Sequence, residues 1–267
     1  MCGYGVNLPT RGIAPPLRHW PWLESKFVTG RHLVGTRMKE LFPLVLFYIE
    51  PVHMSIAERL KPIYSGAVYD VLRDMGHRDC VLPSTLRPLD ADRRLTGKIF
   101  TVNGSRDETL DAHETLLQWT EMLSRAPENT VVVCQPNDDT MAHMGELSAE
   151  TMAARGVRGY IVDGGCRDTE FIKRIGWPVF CRYFTPRDVV GRWVANQFGG
   201  PITIGDVEIH TGDFVVADRD GVVILPQSIA KEVVDRAEEV LHTESKVRKA
   251  ILEGTDPKEA YKEHGKF

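Results

Sequence analysis

Two acids and one arginine define the chemistry this chain could carry out. Glu146 lies in Gly145-Glu146-Leu147-Ser148, and Arg167-Asp168 close the run that starts at Arg155-Gly156-Val157 and passes through Val162-Asp163-Gly164-Gly165-Cys166, with twenty residues between Glu146 and Arg167. An Asp beside an Arg at the end of a buried strand suits a divalent cation with a small carboxylate substrate. Oxygen ligands hold Mg²⁺, and the guanidinium fork grips the acid. Such a pair is equipped to stabilise an enolate.

Each of these residues also has a plain structural reading. Asp168 precedes Phe171-Ile172 and could simply N-cap a short helix. Glu146 could be a first-turn glutamate favoured by the helix dipole, although exposed N–H groups at such a start also favour an anionic ligand. Gly164-Gly165 leaves the backbone open to close approach. His143 invites a ligand or phosphohistidine reading, but it has no second ligand at helical spacing. Cys166, next to Arg167, could have a lowered pKa and act as a nucleophile, yet no pattern supplies its base, so packing is expected. Asp138-Asp139 reads as carboxylates that support the site from behind it or, as a polar pair after a strand, as a solvated loop. Glu244 alone is one acid on a charged helix.

These residues need a folded scaffold, and the composition provides one. The chain has 267 residues, 42% hydrophobic and 26% charged, with a formal net charge of −4. This is a soluble globular composition, and it lacks the basic footprint of a nucleic-acid binder. The five cysteines are odd in number and widely spaced, which fits free thiols in a cytoplasmic compartment rather than a disulfide framework or zinc site. The apolar run Leu41–Ile49 is too short to span a bilayer, so neither a membrane segment nor a secretory signal is expected. Residues 1–53 are Pro-rich at the start, basic and aperiodic. They read as an N-terminal extension, either an organelle-targeting peptide or a stretch preceding a true start at Met54. Residues 54–267 then form the working domain.

Within that domain, Leu60, Ile63, Tyr64, Ala67, Val68, Val71, Leu72 and Met75 recur at three and four, predicting a helix that Gly76 stops. Gly97–Val102 reads as a strand. Leu110, His113, Leu116, Leu117, Thr120 and Leu123 predict a second helix with those residues on its buried face, and Val131–Cys134 a buried strand. A helix over about 145–155, a strand at Tyr160–Val162 and a short helix from about Asp168 continue a βαβ alternation. Such units carry active groups at the C-terminal ends of their strands. Pro178–Cys181, Ile202–Ile204, Val207–Ile209, Phe214–Ala217 and Val222–Leu225 read as strands. A long helix follows Pro226, with Ile229, Val233, Val234, Ala237, Val240 and Leu241 on one face.

The segments Gly145-Glu146-Leu147, Arg155-Gly156-Val157, Val162-Asp163-Gly164 with Arg167-Asp168, Pro178-Val179-Phe180, Gly212-Asp213-Phe214 and Ala217-Asp218-Arg219-Asp220-Gly221-Val222-Val223 together resemble the RraA-like family, from about Ser55 to Phe267. The family includes class II 4-hydroxy-4-methyl-2-oxoglutarate/4-carboxy-4-hydroxy-2-oxoadipate aldolases. The resemblance implies an αββα sandwich with a swivelling β/β/α core, assembled as a homotrimer or homohexamer with active sites between subunits. It implies Asp168 as the ligand of Mg²⁺ or Mn²⁺, and Arg167 as the group on the 2-keto oxygen. Backbone amides at Gly145, Leu147 and Ser148 would hold the carboxylate of a small 2-oxo acid. Glu146 would orient a catalytic water, and Glu244 would be an acid from the adjacent subunit.

The expected activity is retro-aldol cleavage of a 4-hydroxy-2-oxo acid to pyruvate, oxaloacetate decarboxylation, or both. Metal and Arg167 would stabilise charge that develops in the transition state. Met141-Ala142-His143-Met144 departs from the small and aromatic residues of characterised aldolases, where the distal end of the substrate would sit. Two other readings stand beside catalysis. One is a protein-binding regulator of a ribonuclease, as the family's namesake is; the other is a phosphohistidine carrier using His143.

Overall fold

The computed structural model describes residues 54–265, and the N-terminal extension expected over 1–53 lies outside them. The elements in chain order are α1 (Ile56–Arg59), α2 (Ser65–Asp74), β1 (Arg87–Pro88), β2 (Leu95–Arg106), α3 (Ala112–Arg125), β3 (Thr130–Gln135), α4 (Glu146–Ala154) and β4 (Gly159–Val162). Then follow β5 (Gly165–Cys166), α5 (Thr169–Ile175), β6 (Val179–Cys181), β7 (Tyr183–Phe184), β8 (Trp193–Phe198), β9 (Ile202–Ile204), β10 (Val207–Ile209), β11 (Phe214–Ala217), β12 (Val222–Leu225), α6 (Ala230–Leu252) and α7 (Pro257–His264).

The main sheet runs β1-β6-β4-β3-β2-β11-β12, with β8 also on β2. Strands β2, β3, β4 and β6 are mutually parallel, and the remaining pairings are antiparallel. The strands that read as unbroken apolar runs are buried on both faces, as parallel strands covered on two sides must be. Side-chain alternation shows where each face goes. Val132, Cys134, Tyr160 and Val162 pack with Met122, Met152 and Ile172 of α3, α4 and α5. Val131, Val133 and Ile161 turn the other way, onto Val215, Ala217, Val222 and Ile224 of β11 and β12. The opposite face of β11 and β12, Phe214, Val216, Val223 and Leu225, is covered by α1, α2 and α6. The sheet thus curls over itself between two helical layers, which is the expected αββα sandwich.

Three local expectations need correction. The first predicted helix is two pieces, because Pro62 lacks an N–H and disfavours helix in the residue before it; Leu60, Ile63, Ala67, Val68, Val71 and Leu72 are nevertheless buried. The helix α3 forms where predicted, started by a reciprocal capping box between Asp111 and Glu114, but its inner face is rotated. Thr115, Met122 and Leu123 are buried, whereas Leu116 and Leu117 are exposed. Strand β8 was not foreseen: Trp193, Val194 and Ala195 are buried but Asn196 and Gln197 are exposed, so its sequence shows no sustained period. It joins the C-terminal half of β2 at a bulge between Asn103 and Gly104, where the Trp193 ring lies against Gly104 in the space a Cβ would need.

Among the described residues, no helix is long and apolar enough to cross a membrane. Cys80, Cys134, Cys166 and Cys181 are free and buried.

Candidate active site

The segment before α4 is tied to the turn after β4 by main-chain bonds. The His143 N–H donates to Gly165 O (2.8 Å), the Arg167 N–H donates to Met144 O (2.9 Å), and Ala142 forms a parallel bridge with Gly165. These bonds bring Gly145-Glu146-Leu147-Ser148 beside Arg167-Asp168 despite the twenty intervening residues. The approach is close. A Cβ on Gly145 would lie 2.7 Å from Asp168 Oδ2 and 3.2 Å from Arg167 Nε, so only glycine leaves both side chains where they are.

Asp168 occupies the N-cap position of α5 but does not cap it. Its backbone is left-handed (φ 57°, ψ 32°) and its carboxylate accepts nothing from its own helix. Instead, the Glu146 N–H of the neighbouring helix donates to Asp168 Oδ2 at 3.2 Å, and Arg167 Nε is 3.5 Å from the same oxygen. A non-glycine residue held in the left-handed region costs on the order of 1 kcal/mol or more and persists only where surroundings fix it. The conformation is what turns the carboxylate away from α5. Arg167 also reaches Asp188, with Nη1 to Oδ2 at 3.4 Å, so its guanidinium lies between two carboxylates. All three side chains are more than a third exposed, so these are screened, adjustable contacts.

Above this cluster opens a cleft of about 410 Å³ lined by α3, the start of α4, Arg167-Asp168 and Asp188-Val189-Val190. At the start of α4, the Glu146 N–H is taken by Asp168. Those of Gly145, Leu147 and Ser148 have no hydrogen-bond partner among the described residues, leaving three donors for an anion. Glu146 is half-buried at the first position of α4, and its residue lines the cleft. Ser148 Oγ accepts from Trp119 Nε1 at 2.9 Å, which joins α3 to α4 across the cleft wall.

Among the described residues, no group of three or more His, Cys, Asp or Glu could hold a metal. Asp168 still fits a divalent ion that keeps much of its water, as Mg²⁺ does. Its carboxyl group is open to the cleft, and Oδ1 has no hydrogen-bond partner among the described residues. Any such ion would rest on one protein carboxylate, with water and substrate oxygens completing its shell.

The other candidates sort by position. Glu244 lies on α6, where both its oxygens accept from Tyr64 Oη (2.8 and 2.7 Å), in a groove separate from the cleft. Within one chain it does not join the cluster. His143 is fully buried, 4.9 Å from the Trp193 ring centroid in an edge-to-face arrangement, and its pKa is lowered to about 4 by burial despite the pull of Asp138 at 3.5 Å. It is part of the wall behind the cleft. Burial raises the Asp138 carboxyl, but N–H groups of Thr140 and Met141, Arg106 and the Thr140 hydroxyl outweigh it and hold the pKa at about 2. Asp138 is therefore a loop-closing group, and Asp139 is solvated. Cys166 is fully buried, and contact with the Cys181 thiol together with burial pushes its pKa upward, the opposite of nucleophile activation. Asp188 was missed. It follows a Pro-Arg pair in an irregular segment, and nothing in its local pattern separates it from an ordinary loop acid.

The comparisons with known proteins agree with this frame. Residues 65–224 match the family described as RraA-like: Aldolase/RraA, and the chain belongs to that family. A relative from Halalkalibacterium halodurans named "Putative 4-hydroxy-4-methyl-2-oxoglutarate aldolase" is 28% identical over 182 residues, covering 68% of this chain and 83% of the relative. The solved structure of an uncharacterized Pseudomonas syringae protein superposes with a TM-score of 0.69 at 25% identity, covering 79% of this chain and 98% of the other. That of Streptomyces coelicolor RraAS2, described as an unusual member of the RNase ES inhibitor RraA protein family, superposes with a TM-score of 0.64 at 26% identity, covering 72% and 95%.

Proposed function

We propose that this chain is a divalent-metal-dependent carbon–carbon lyase that cleaves 4-hydroxy-2-oxo acids to pyruvate and decarboxylates oxaloacetate. The carrying observation is Asp168, left-handed and turned off its own helix into a cleft beside Arg167, next to three N–H groups with no partner among the described residues. The family membership and the aldolase name of a 28% identical relative support the same reading.

The amides of Gly145, Leu147 and Ser148 bind the 1-carboxylate, with the positive end of α4 behind them. Arg167 exchanges its loose contacts with Asp168 and Asp188 for the 2-oxo oxygen. It donates to that oxygen as the C3–C4 electron pair moves onto C3 and negative charge spreads to oxygen. Mg²⁺ or Mn²⁺ on Asp168 would add Lewis-acid polarisation at the same oxygen. Glu146 orients a water that takes the C4 hydroxyl proton, leaving a carbonyl at C4, and the enolate is protonated at C3 to give pyruvate. Oxaloacetate needs no such base, because its C3–C4 bond breaks with loss of neutral CO₂. Glu244 would enter from a second copy in a homotrimer or homohexamer.

The decisive experiment is pyruvate release from oxaloacetate and from a panel of 4-hydroxy-2-oxo acids, with Mg²⁺ and with chelator. Release that chelator abolishes is expected. Arg167→Ala should lose about 10²–10³ in kcat, the usual cost of an oxyanion donor. A folded, metal-supplied oligomer that releases no pyruvate would leave the ribonuclease-regulating role of RraA proteins as the better reading.

A further inference from the structure

We infer that the distal half of the substrate is apolar and uncharged, so that the preferred substrates are 4-hydroxy-2-oxo monocarboxylic acids whose C4 substituent is an alkyl or aryl group. This deepens the proposed lyase activity and rests on it. The catalytic corner of the cleft is Gly145–Ser148 with Arg167 and Asp168, and everything beyond that corner must receive what is attached to C4.

The far wall consists of Leu116, Trp119, Leu123, Val189 and Val190, together with hydroxyl residues of α3 and α4. Leu116 is 46% exposed although it stands on a helix packed against the sheet, an apolar surface left open toward the cleft. The hydroxyl groups do not soften that wall, because their protons are already placed. Thr120 Oγ1 donates to Leu116 O and Leu117 O, Ser124 Oγ to Thr120 O, and Thr151 Oγ1 to Leu147 O. The Trp119 indole N–H is committed to Ser148 Oγ. Arg155, at the end of α4, donates to Ser124 O. Among the described residues that line the cleft, Arg167 is the one cation, against the three carboxylates Glu146, Asp168 and Asp188. A carboxylate carried beyond C4 would thus lose its hydration to a wall that, among the described residues, has no cation and a single uncommitted hydroxyl, that of Ser148, and would face Asp188. The C4 carboxylate of oxaloacetate lies on the breaking bond and does not extend to that wall. A buried carboxylate left without a partner is strongly disfavoured, whereas each methylene laid on such a wall is favourable.

The cleavage itself is unchanged. The C3–C4 bond breaks with its electron pair left on C3, the C4 hydroxyl proton goes to the Glu146-oriented water, and a neutral aldehyde or ketone leaves from the apolar wall.

The test uses the native, Mg²⁺-supplied oligomer and two ligands of one shape that cannot be cleaved, 2-oxoglutarate and its uncharged-tail isostere 5-methyl-2-oxohexanoate. Affinities are read by titration calorimetry. The isostere should bind at least tenfold more tightly, and kcat/KM for 4-hydroxy-2-oxohexanoate should exceed that for 4-hydroxy-4-methyl-2-oxoglutarate. Leu116→Arg, at an exposed helix position, should narrow or reverse the binding preference. Equal or tighter binding of 2-oxoglutarate by the wild type would overturn the monoacid assignment while leaving the lyase intact. No binding of either ligand, with no pyruvate released from any substrate, would overturn the lyase reading and this inference with it.

Discussion

The site is built on a few residues whose conformations serve the cleft better than they serve local structure. Asp168 gives up a capping bond and accepts a left-handed backbone, and its carboxylate faces Arg167 and the start of α4. Asp168→Asn should keep the fold, lose Mg²⁺ binding by calorimetry and lose metal-dependent turnover; retained Mg²⁺ affinity would remove Asp168 as the ligand. Gly145→Ala places a methyl 2.7 Å from the same carboxylate. It should lower kcat by about 10²-fold, as small displacements of a reacting constellation do, with little change in melting temperature, and wild-type turnover would show that the close approach is idle. Glu146→Gln should impair aldol cleavage far more than oxaloacetate decarboxylation, since only the former needs a base. Equal losses would contradict that division. The reading of Arg167, Asp168 and Glu146 as one cluster was available from residue type and spacing. Asp188 was not, because it meets Arg167 only through folding.

At the scale of elements, the wall behind the cleft is an aromatic stack: Trp119 edges onto Trp193 at 6.0 Å, and Trp193 onto His143 at 4.9 Å. His143 is buried as the neutral form. Its folded pKa of about 4 lies below the ordinary 6.5, so the unfolded chain takes up the proton first, and stability falls as pH drops from about 6.5 toward 4. Between pH 7.5 and 5 this group alone should cost about 2 kcal/mol. Urea unfolding at both pH values should show that loss in the wild type and a smaller one in His143→Gln; identical pH slopes would mean the imidazole is protonated without penalty. Strands β11 and β12 were legible to the residue because continuous apolar runs between Gly-Asp turns leave one register. The buried face of α3 departs from its pattern at the cleft: Leu116 obeys the hydrophobic period but borders the cleft, and Thr115 obeys none yet is buried. Pro62 carried a visible break signal that the strong flanking periodicity overrode.

For the whole molecule, the curled sheet places Glu244 on the α6 layer, away from the cleft of its own chain. If a neighbouring copy supplies it, unfolding and refolding Asp168→Ala together with Glu244→Ala should regenerate some wild-type sites from two inactive parents. Turnover no greater than that of the separate variants would confine Glu244 to its pairing with Tyr64. The layer order followed from the resemblance and the strand pattern, whereas relations between copies are beyond what one chain's periodicity encodes.

The twelve-residue β2 is flanked on one side by β3, but its other side waits for strands that come much later: β8 along its C-terminal half and β11 along Leu95–Lys98. A polypeptide interrupted between β8 and Phe214 would leave the Leu95–Lys98 stretch of that border bare, with main-chain donors and acceptors ready to zip onto a sibling. Premature stop codons in this stretch should yield sedimenting material instead of a weakened catalyst, and a soluble, monomeric fragment ending near residue 205 would show that β2 needs no such protection.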